Sequence, residues 1–203
     1  MNARGAPPAL CVMISGGGRT LLNLAERIDS GGLHAAIHLV IASRECAGAE
    51  RARERGLHVL VMKGEIEAAL LGRVLGDHGA QWVALGGYLK RVRVPSGFEG
   101  RVVNIHPALL PSFGGHGMYG ERVHRAVLDA GCKVSGCTVH LCDAEYDRGP
   151  IVAQAACEVR EDDDAHALAE RVFALECELY PRALAALFAG RVRVEGARTR
   201  IGE

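Results

Sequence analysis

The chain has 203 residues, 49% of them hydrophobic, with Lys+Arg and Asp+Glu both at 24 and a formal net charge of zero. That length and apolar content suit one compact domain with a sizeable core, and the balanced charge leaves no electrostatic footprint for nucleic acid or an anionic membrane, which points to small-molecule partners. No apolar run is long enough to span a bilayer, residues 1–8 lack the apolar core of a signal peptide, and seven cysteines without a C-x-x-C pair fit free thiols in a reducing, cytoplasmic compartment.

The first predicted strand, Ala9–Ile14, runs into Ser15-Gly16-Gly17-Gly18-Arg19-Thr20 and then a helical pattern with Leu21, Leu22, Leu24 and Ile28 near one face. In a strand, glycine loop and helix, backbone N–H groups close on a phosphate and the positive end of the helix adds to them; the same arrangement also serves as a plain tight turn. A dinucleotide fingerprint fits poorly, because Leu21 stands where a third glycine is expected and the second strand, Ala36–Ala42, ends in Ser43-Arg44 rather than an acid. Ser43-Arg44 would suit a 2′-phosphate, so it is the glycine pattern that weighs against NADP. The chain continues with a helix over 47–55, a strand over 57–62, a helix over 65–78 and a buried strand, Trp82–Leu85, ending in Gly86-Gly87. This βαβα alternation predicts a parallel sheet wound with helices, with ligands gathering beyond the carboxyl ends of its strands. Lys90-Arg91-Val92-Arg93 follows as a basic loop whose usual fate is solvation.

Arg101-Val102-Val103 opens a short strand that must stop at His106, since Pro107 neither donates to a ladder nor lets its predecessor turn helical. Asn104 and His106, two apart, then project from one face of a strand end. An amide NH₂ and an imidazole converging there would polarise a carbonyl and hold the oxyanion formed on its attack; a histidine before a proline also serves simply to cap a strand. The glycine-dense stretch 111–120 is expected to be an irregular, mobile flap feeding a helix over 121–130. Strands over 134–142 and 151–159 form an antiparallel pair joined by the acidic turn 143–150. A carboxylate in that turn would complete a triad, and spacing does not choose among Asp143, Glu145 and Asp147; for Asp147 an Asx-turn is the plain alternative. Cys137 and Cys142, an odd number apart on one predicted strand, point to opposite faces and do not share a metal. His34, His38, His58, His78 and His166 have no acidic or cysteine partner at ligand spacing, which leaves His106 with the strongest case. Asp162, Asp163 and Asp164 open a long helix to about Ala189, their charges complementing its dipole, and 191–201 reads as a hairpin with one wet, arginine-bearing face.

Three segments, taken in order, resemble the phosphoribosylglycinamide formyltransferases of purine biosynthesis: Asn104-Ile105-His106-Pro107-Ala108-Leu109-Leu110-Pro111, Gly136-Cys137-Thr138-Val139-His140, and Asp147-Arg148-Gly149-Pro150 followed by Gln154. The resemblance spans nearly the whole chain. It implies a Rossmann-like α/β fold, a mostly parallel twisted sheet with helices on both faces and an antiparallel C-terminal part. Within a single formyltransferase domain it implies a phosphate-binding glycine-loop half (1–100), a catalytic and folate-binding half (101–190) and a C-terminal hairpin (191–203). The implied reaction moves a formyl group from the co-substrate 10-formyltetrahydrofolate to the primary amine of glycinamide ribonucleotide, with no metal and no covalent intermediate.

Carried over by resemblance, Asn104, His106 and Asp147 are the catalytic trio, with Asp147 raising the protonated fraction of the imidazole, orienting it and relaying a proton. Gly16, Gly17, Gly18, Arg19 and Thr20 take the phosphate, Arg19-Thr20 replacing the family's usual Ser-Asn pair. Glu176 takes the ribose, although Phe173 replaces a nearby family glutamine. Leu89, Lys90, Arg91 and Val92, with Asn104, Ala144 and Glu145, line the folate site, mostly through backbone contacts to the pterin. Leu110-Pro111 is expected to be cis, and the chain to be a monomer or homodimer. A formyltetrahydrofolate deformylase and a methionyl-tRNA formyltransferase share the chemistry, but each carries an extra domain for which 203 residues leave no room. The alternatives kept are the deformylase and a non-catalytic folate- or nucleotide-binding protein.

Overall fold

The computed structural model describes residues 5–202; residues 1–4 and 203, including the start of the segment read as lacking a signal peptide, lie outside the described residues. The chain divides into two compact units, one through Val102 and one from Val103. The first unit runs β1 (Ala9–Ile14), α1 (Arg19–Asp29), β2 (Ala36–Ala42), α2 (Ala47–Glu54), β3 (Val59–Val61), α3 (Ala68–Asp77) and β4 (Trp82–Leu85). Its strands lie in the order β3-β2-β1-β4, every pairing parallel. All six residues of β1 are buried, so the strand is covered on both faces and reads as a continuous apolar run rather than an alternation. α1 buries Leu21, Leu24 and Ala25 along one stripe.

Two elements of the first unit fall short of expectation by more than one residue. β3 covers only Val59–Val61 instead of 57–62, because it pairs with β2 alone and the three-residue ladder sets its length. α3 begins at Ala68 instead of 65, since Ile66 is drawn into a parallel bridge with Val92 and its neighbour Glu67 is extended.

The second unit, which begins within β5 (Val102–His106), continues through α4 (Glu121–Asp129), β6 (Val134–Leu141), β7 (Ile151–Glu158), α5 (Ala165–Phe188), β8 (Val192–Glu195) and β9 (Arg198–Ile201). β5, β6 and β7 pair antiparallel in that order, so the parallel first part and antiparallel C-terminal part are both as expected. Tyr180 on α5 is fully buried and donates its hydroxyl to the Val103 carbonyl at 2.9 Å, anchoring the helix to the first residues of the unit. The three acids before α5 do not sit in its first turn. Asp164 is the N-cap, accepting from Ala167 N at 2.7 Å, and Asp163 takes a bidentate grip from Arg171 at 2.6 and 2.8 Å. The β8–β9 hairpin forms as expected, and Thr199 Oγ1 donates to the Ile151 carbonyl at 2.6 Å.

The chain leaving β5 is held by a buried polar knot. Thr138 Oγ1 donates to the Ala108 carbonyl (2.6 Å) and accepts from Leu110 N (3.0 Å) and Gln154 Nε2 (3.0 Å), while Gln154 Nε2 also reaches the Leu110 carbonyl (3.0 Å). Leu110-Pro111 is cis, as the resemblance implies. Thr138→Val keeps the shape but orphans a buried N–H and a buried carbonyl, so it is expected to cost about 2 kcal/mol or more. A urea midpoint shifted down at constant m-value would show it, and an unchanged midpoint would mean that the knot contributes nothing to stability.

Candidate active site

Strand parity and ladder register build the site within the second unit. Asn104 and His106 project from the same face of β5, and the antiparallel register sets His140 directly across from Asn104 and Thr138 across from His106. Asn104 Nδ2 lies 3.0 Å from His140 Nε2 and 3.4 Å from Asp147 Oδ1. His140 Nδ1 donates to the Leu141 carbonyl at 3.0 Å, so in the neutral ring Nε2 accepts from the Asn104 amide. His106 Nε2 donates to the Phe113 carbonyl at 2.8 Å, which leaves Nδ1 facing Asp147 Oδ2 at 3.6 Å. Asp147 thus stands between two histidines, with His140 Nε2 at 3.4 Å from its other oxygen.

Asp147 is the carboxylate of the acidic turn that reaches this cluster. Asp143 spends its side chain on the Asx-turn, accepting from Glu145 N at 2.9 Å, and Glu145 is exposed. Two glycines allow the placement. A Cβ on Gly149 would collide with the Leu141 carbonyl where the turn meets β7, and one on Gly114 would lie 2.5 Å from Leu110 Cδ2 and 3.2 Å from Asp147 Cβ. Irregular as expected, the stretch after β5 is also fastened to the site. Gly115 N donates to Asp147 Oδ2 at 2.9 Å, Phe113 O accepts from His106 Nε2, and His116 meets Tyr146 edge-on at 5.6 Å.

Burial decides the charge of His106. With only 3% of its surface exposed, desolvation lowers its pKa, and the attraction of Asp147 and the Phe113 carbonyl only partly offset this. Asp147 does pull the imidazole toward its protonated form, as expected, but the larger effect is burial, which pulls the other way. For Asp147 burial works upward, and the approach of His140 Nε2, the charge of His106 and the Gly115 N–H outweigh it, so its carboxyl lies below the ordinary range. A histidine pKa lowered by folding means that the native state binds that proton less tightly than the unfolded chain. Its contribution to stability is present above the unfolded value and lost as pH falls, and the depressed Asp147 acts in the same direction. An NMR titration is expected to place the His106 midpoint below about 6.5, and lower still in Asp147→Asn. A midpoint that does not move in the variant would remove the aspartate from the electrostatics of the ring.

One histidine escaped the sequence reading. His140, 2% exposed, belongs to the Gly136–His140 motif, but only the β5–β6 register brings it to Asn104. His124 on α4 is 4% exposed, its pKa is lowered by burial and then by the charge of His106, and its Nδ1 has no hydrogen-bond partner among the described residues. Tyr119, by contrast, is exposed beneath the Arg122 guanidinium. Glu176 is half-buried on α5, where its charge is felt by the Cys137 thiol; burial first of all pushes that thiol up to about 12, making it a packing group. Cys142 lies beyond the end of β6. Ala144 is exposed.

In the first unit, Gly16 and Thr20 are half-buried, Gly17 and Arg19 exposed and Gly18 buried, and Gly18 is the left-handed N-cap of α1 (φ 73°). Leu89 donates its N–H to Ser15 Oγ at 2.9 Å, so that amide is spent inside the unit and is not available to a pterin. Lys90 and Arg91 are exposed, Val92 holds the bridge to Ile66, and Arg93 pairs with Glu65 and Glu67. Arg44 Nε is bonded to the Ser15 carbonyl at 3.0 Å, which further disfavours the 2′-phosphate alternative.

A family model described as formyl transferase matches residues 9–184. The chain is 40% identical over 194 residues to a chloroplastic phosphoribosylglycinamide formyltransferase of Arabidopsis thaliana, covering 91% of this chain and 66% of the plant protein. Among solved structures it is similar to glycinamide ribonucleotide transformylase 1 from Symbiobacterium toebii, with 35% identity, a TM-score of 0.90, and 100% of this chain and 98% of that one covered. A formyltetrahydrofolate deformylase from Pseudomonas syringae shares the fold, with a TM-score of 0.85, at 24% identity.

Proposed function

The chain belongs to the formyl transferase family, and on that premise we propose that it transfers a formyl group from 10-formyltetrahydrofolate to the primary amine of glycinamide ribonucleotide. The observation that carries the proposal is the convergence of Asn104, His106 and Asp147 with distances of 3.4 and 3.6 Å to the one carboxylate. Attack of an amine on a formyl amide generates a tetrahedral oxyanion, and one proton must pass from the attacking nitrogen to the leaving nitrogen. Asn104 donates to the oxyanion, and His140 orients its amide. The Nε2–H of His106 is committed to Phe113, so the proton that moves is handled at Nδ1, beside Asp147. A ring kept neutral by burial suits a group that first accepts that proton and then releases it.

The remaining roles are assigned unit by unit. In the first unit Gly16, Gly17, Gly18, Arg19 and Thr20 bind the phosphate, and Lys90, Arg91, Val92 and the carbonyl side of Leu89 meet the folate. In the second, Ala144 and Glu145 contribute to the folate site with Asn104, and Glu176 hydrogen-bonds the ribose. All seven cysteines are free thiols, which supports a reducing, cytoplasmic setting. No helix among the described residues is long and apolar enough to cross a membrane.

The acceptor is what the test must identify. Tetrahydrofolate release from 10-formyltetrahydrofolate, followed by absorbance, should require glycinamide ribonucleotide. Release without it would replace the transferase reading with a deformylase, and no release in either case would leave a binding protein. Sedimentation at the assay concentration decides between monomer and homodimer.

A further inference from the structure

Three consecutive carbonyls of the glycine loop are held from the same side. Arg44 Nε donates to the Ser15 carbonyl at 3.0 Å, Gly48 N to the Gly16 carbonyl at 3.0 Å, and Arg51 Nη1 to the Gly17 carbonyl at 2.9 Å. Gly48 and Arg51 belong to α2, and Arg44 lies just before it. The only cis peptide bond among the described residues is Leu110-Pro111, so these peptides are trans. In a planar trans peptide the C=O and the next N–H point in opposite directions. Pinning the carbonyls of Ser15, Gly16 and Gly17 therefore turns the N–H groups of Gly16, Gly17 and Gly18 away from α2.

We propose that Arg51, with Arg44 and the backbone of Gly48, is a positioning residue for the substrate's phosphate, holding the loop so that a row of N–H donors faces the anion. The inference rests on the reading that this loop binds phosphate. Its physical basis is that peptides flanked by glycines rotate easily, and a carbonyl rotated toward a phosphate would set partial negative charge against it. Two guanidiniums remove that freedom and bring permanent positive charge behind the loop without touching the ligand. The spacing is tight enough to demand glycine on both sides. A Cβ on Gly48 would lie 2.6 Å from the Gly16 carbonyl oxygen and 2.9 Å from Gly18 Cα, and a Cβ on Gly18 would lie 2.8 Å from Gly48 Cα. The start of the loop is fixed as well, since the buried Ser15 hydroxyl accepts from Ser43 Oγ at 2.7 Å and from Leu89 N at 2.9 Å. Beyond it the Gly18 carbonyl accepts from Leu22 N at 2.9 Å, which starts α1.

The test compares glycinamide ribonucleotide with its phosphate-free ribonucleoside as acceptors for the wild type, Arg51→Met, Arg51→Lys and Arg44→Met. The wild type is expected to prefer the ribonucleotide. Arg51→Met should lose about tenfold of that preference, equivalent to roughly 1.4 kcal/mol, through a higher ribonucleotide KM, with kcat and the ribonucleoside reaction little changed. Competition by inorganic phosphate should weaken by a similar factor, and Arg51→Lys should recover part of the loss. Equal loss with both acceptors would make Arg51 merely structural and overturn the inference, as would an undiminished preference in folded Arg51→Met and Arg44→Met. If Arg51→Met fails to fold, the other two variants decide in the same way. A wild type that transfers formyl groups but ignores the phosphate would remove the phosphate reading of the loop and this inference with it. A wild type that transfers none would instead remove the proposed function.

Discussion

Asp147→Asn is expected to lower the turnover of formyl transfer by about a hundredfold or more, the scale of a lost acid/base group, while leaving a folded protein. The carboxylate accepts on both oxygens: Oδ2 takes the Gly115 N–H at 2.9 Å and faces His106 Nδ1 at 3.6 Å, and Oδ1 faces Asn104 Nδ2 and His140 Nε2, both at 3.4 Å. An amide has only one acceptor atom. Whichever way the substituted side chain is turned, its NH₂ meets a donor, either the Gly115 N–H or the Asn104 amide, and the negative charge that favours a proton on His106 is gone. The variant should therefore lose kcat more than it raises either KM, and its near-ultraviolet circular dichroism should stay native. Turnover within a few-fold of the wild type would exclude Asp147 from proton transfer and return the mechanism to Asn104 and His106 alone.

His106→Ala should have an effect of the same order, at least about a hundredfold in kcat, for a different reason. Its Nε2–H is fastened to the Phe113 carbonyl, so Nδ1 is the nitrogen left to exchange a proton, and no other ring faces Asp147 Oδ2 at comparable distance among the described residues. His140 approaches the other oxygen and is already engaged by Leu141 and Asn104. Truncation also releases the Phe113 carbonyl and removes a side chain with 3% exposure, so some stability will be lost with the activity. His106→Gln separates the two effects. It can restore a donor to Phe113 but cannot carry a proton, so it should regain stability without regaining turnover. A Gln variant close to wild-type rate would mean that the histidine only holds the segment after β5.

What could be read from the sequence was what depends on near neighbours along the chain. The parity of Asn104 and His106, the stop at Pro107, the run of β1 into the glycine loop and the antiparallel pair around the acidic turn all follow from strand period, proline chemistry and glycine punctuation, which act over a few residues. The formyl transferase family followed from the order of three short segments. Register, close approach and burial were not readable, because each depends on atoms distant in sequence. Spacing left Asp143, Glu145 and Asp147 equivalent until the Asx-turn at Asp143 and the meeting of Gly115 with Asp147 separated them. His140 became part of the site only through its pairing with Asn104, 36 residues away. Arg44, Gly48 and Arg51 came to the glycine loop through the packing of α2, which no local pattern announces. The sign of the pKa shift at His106 was decided by desolvation, which exists only once the core has closed around the ring.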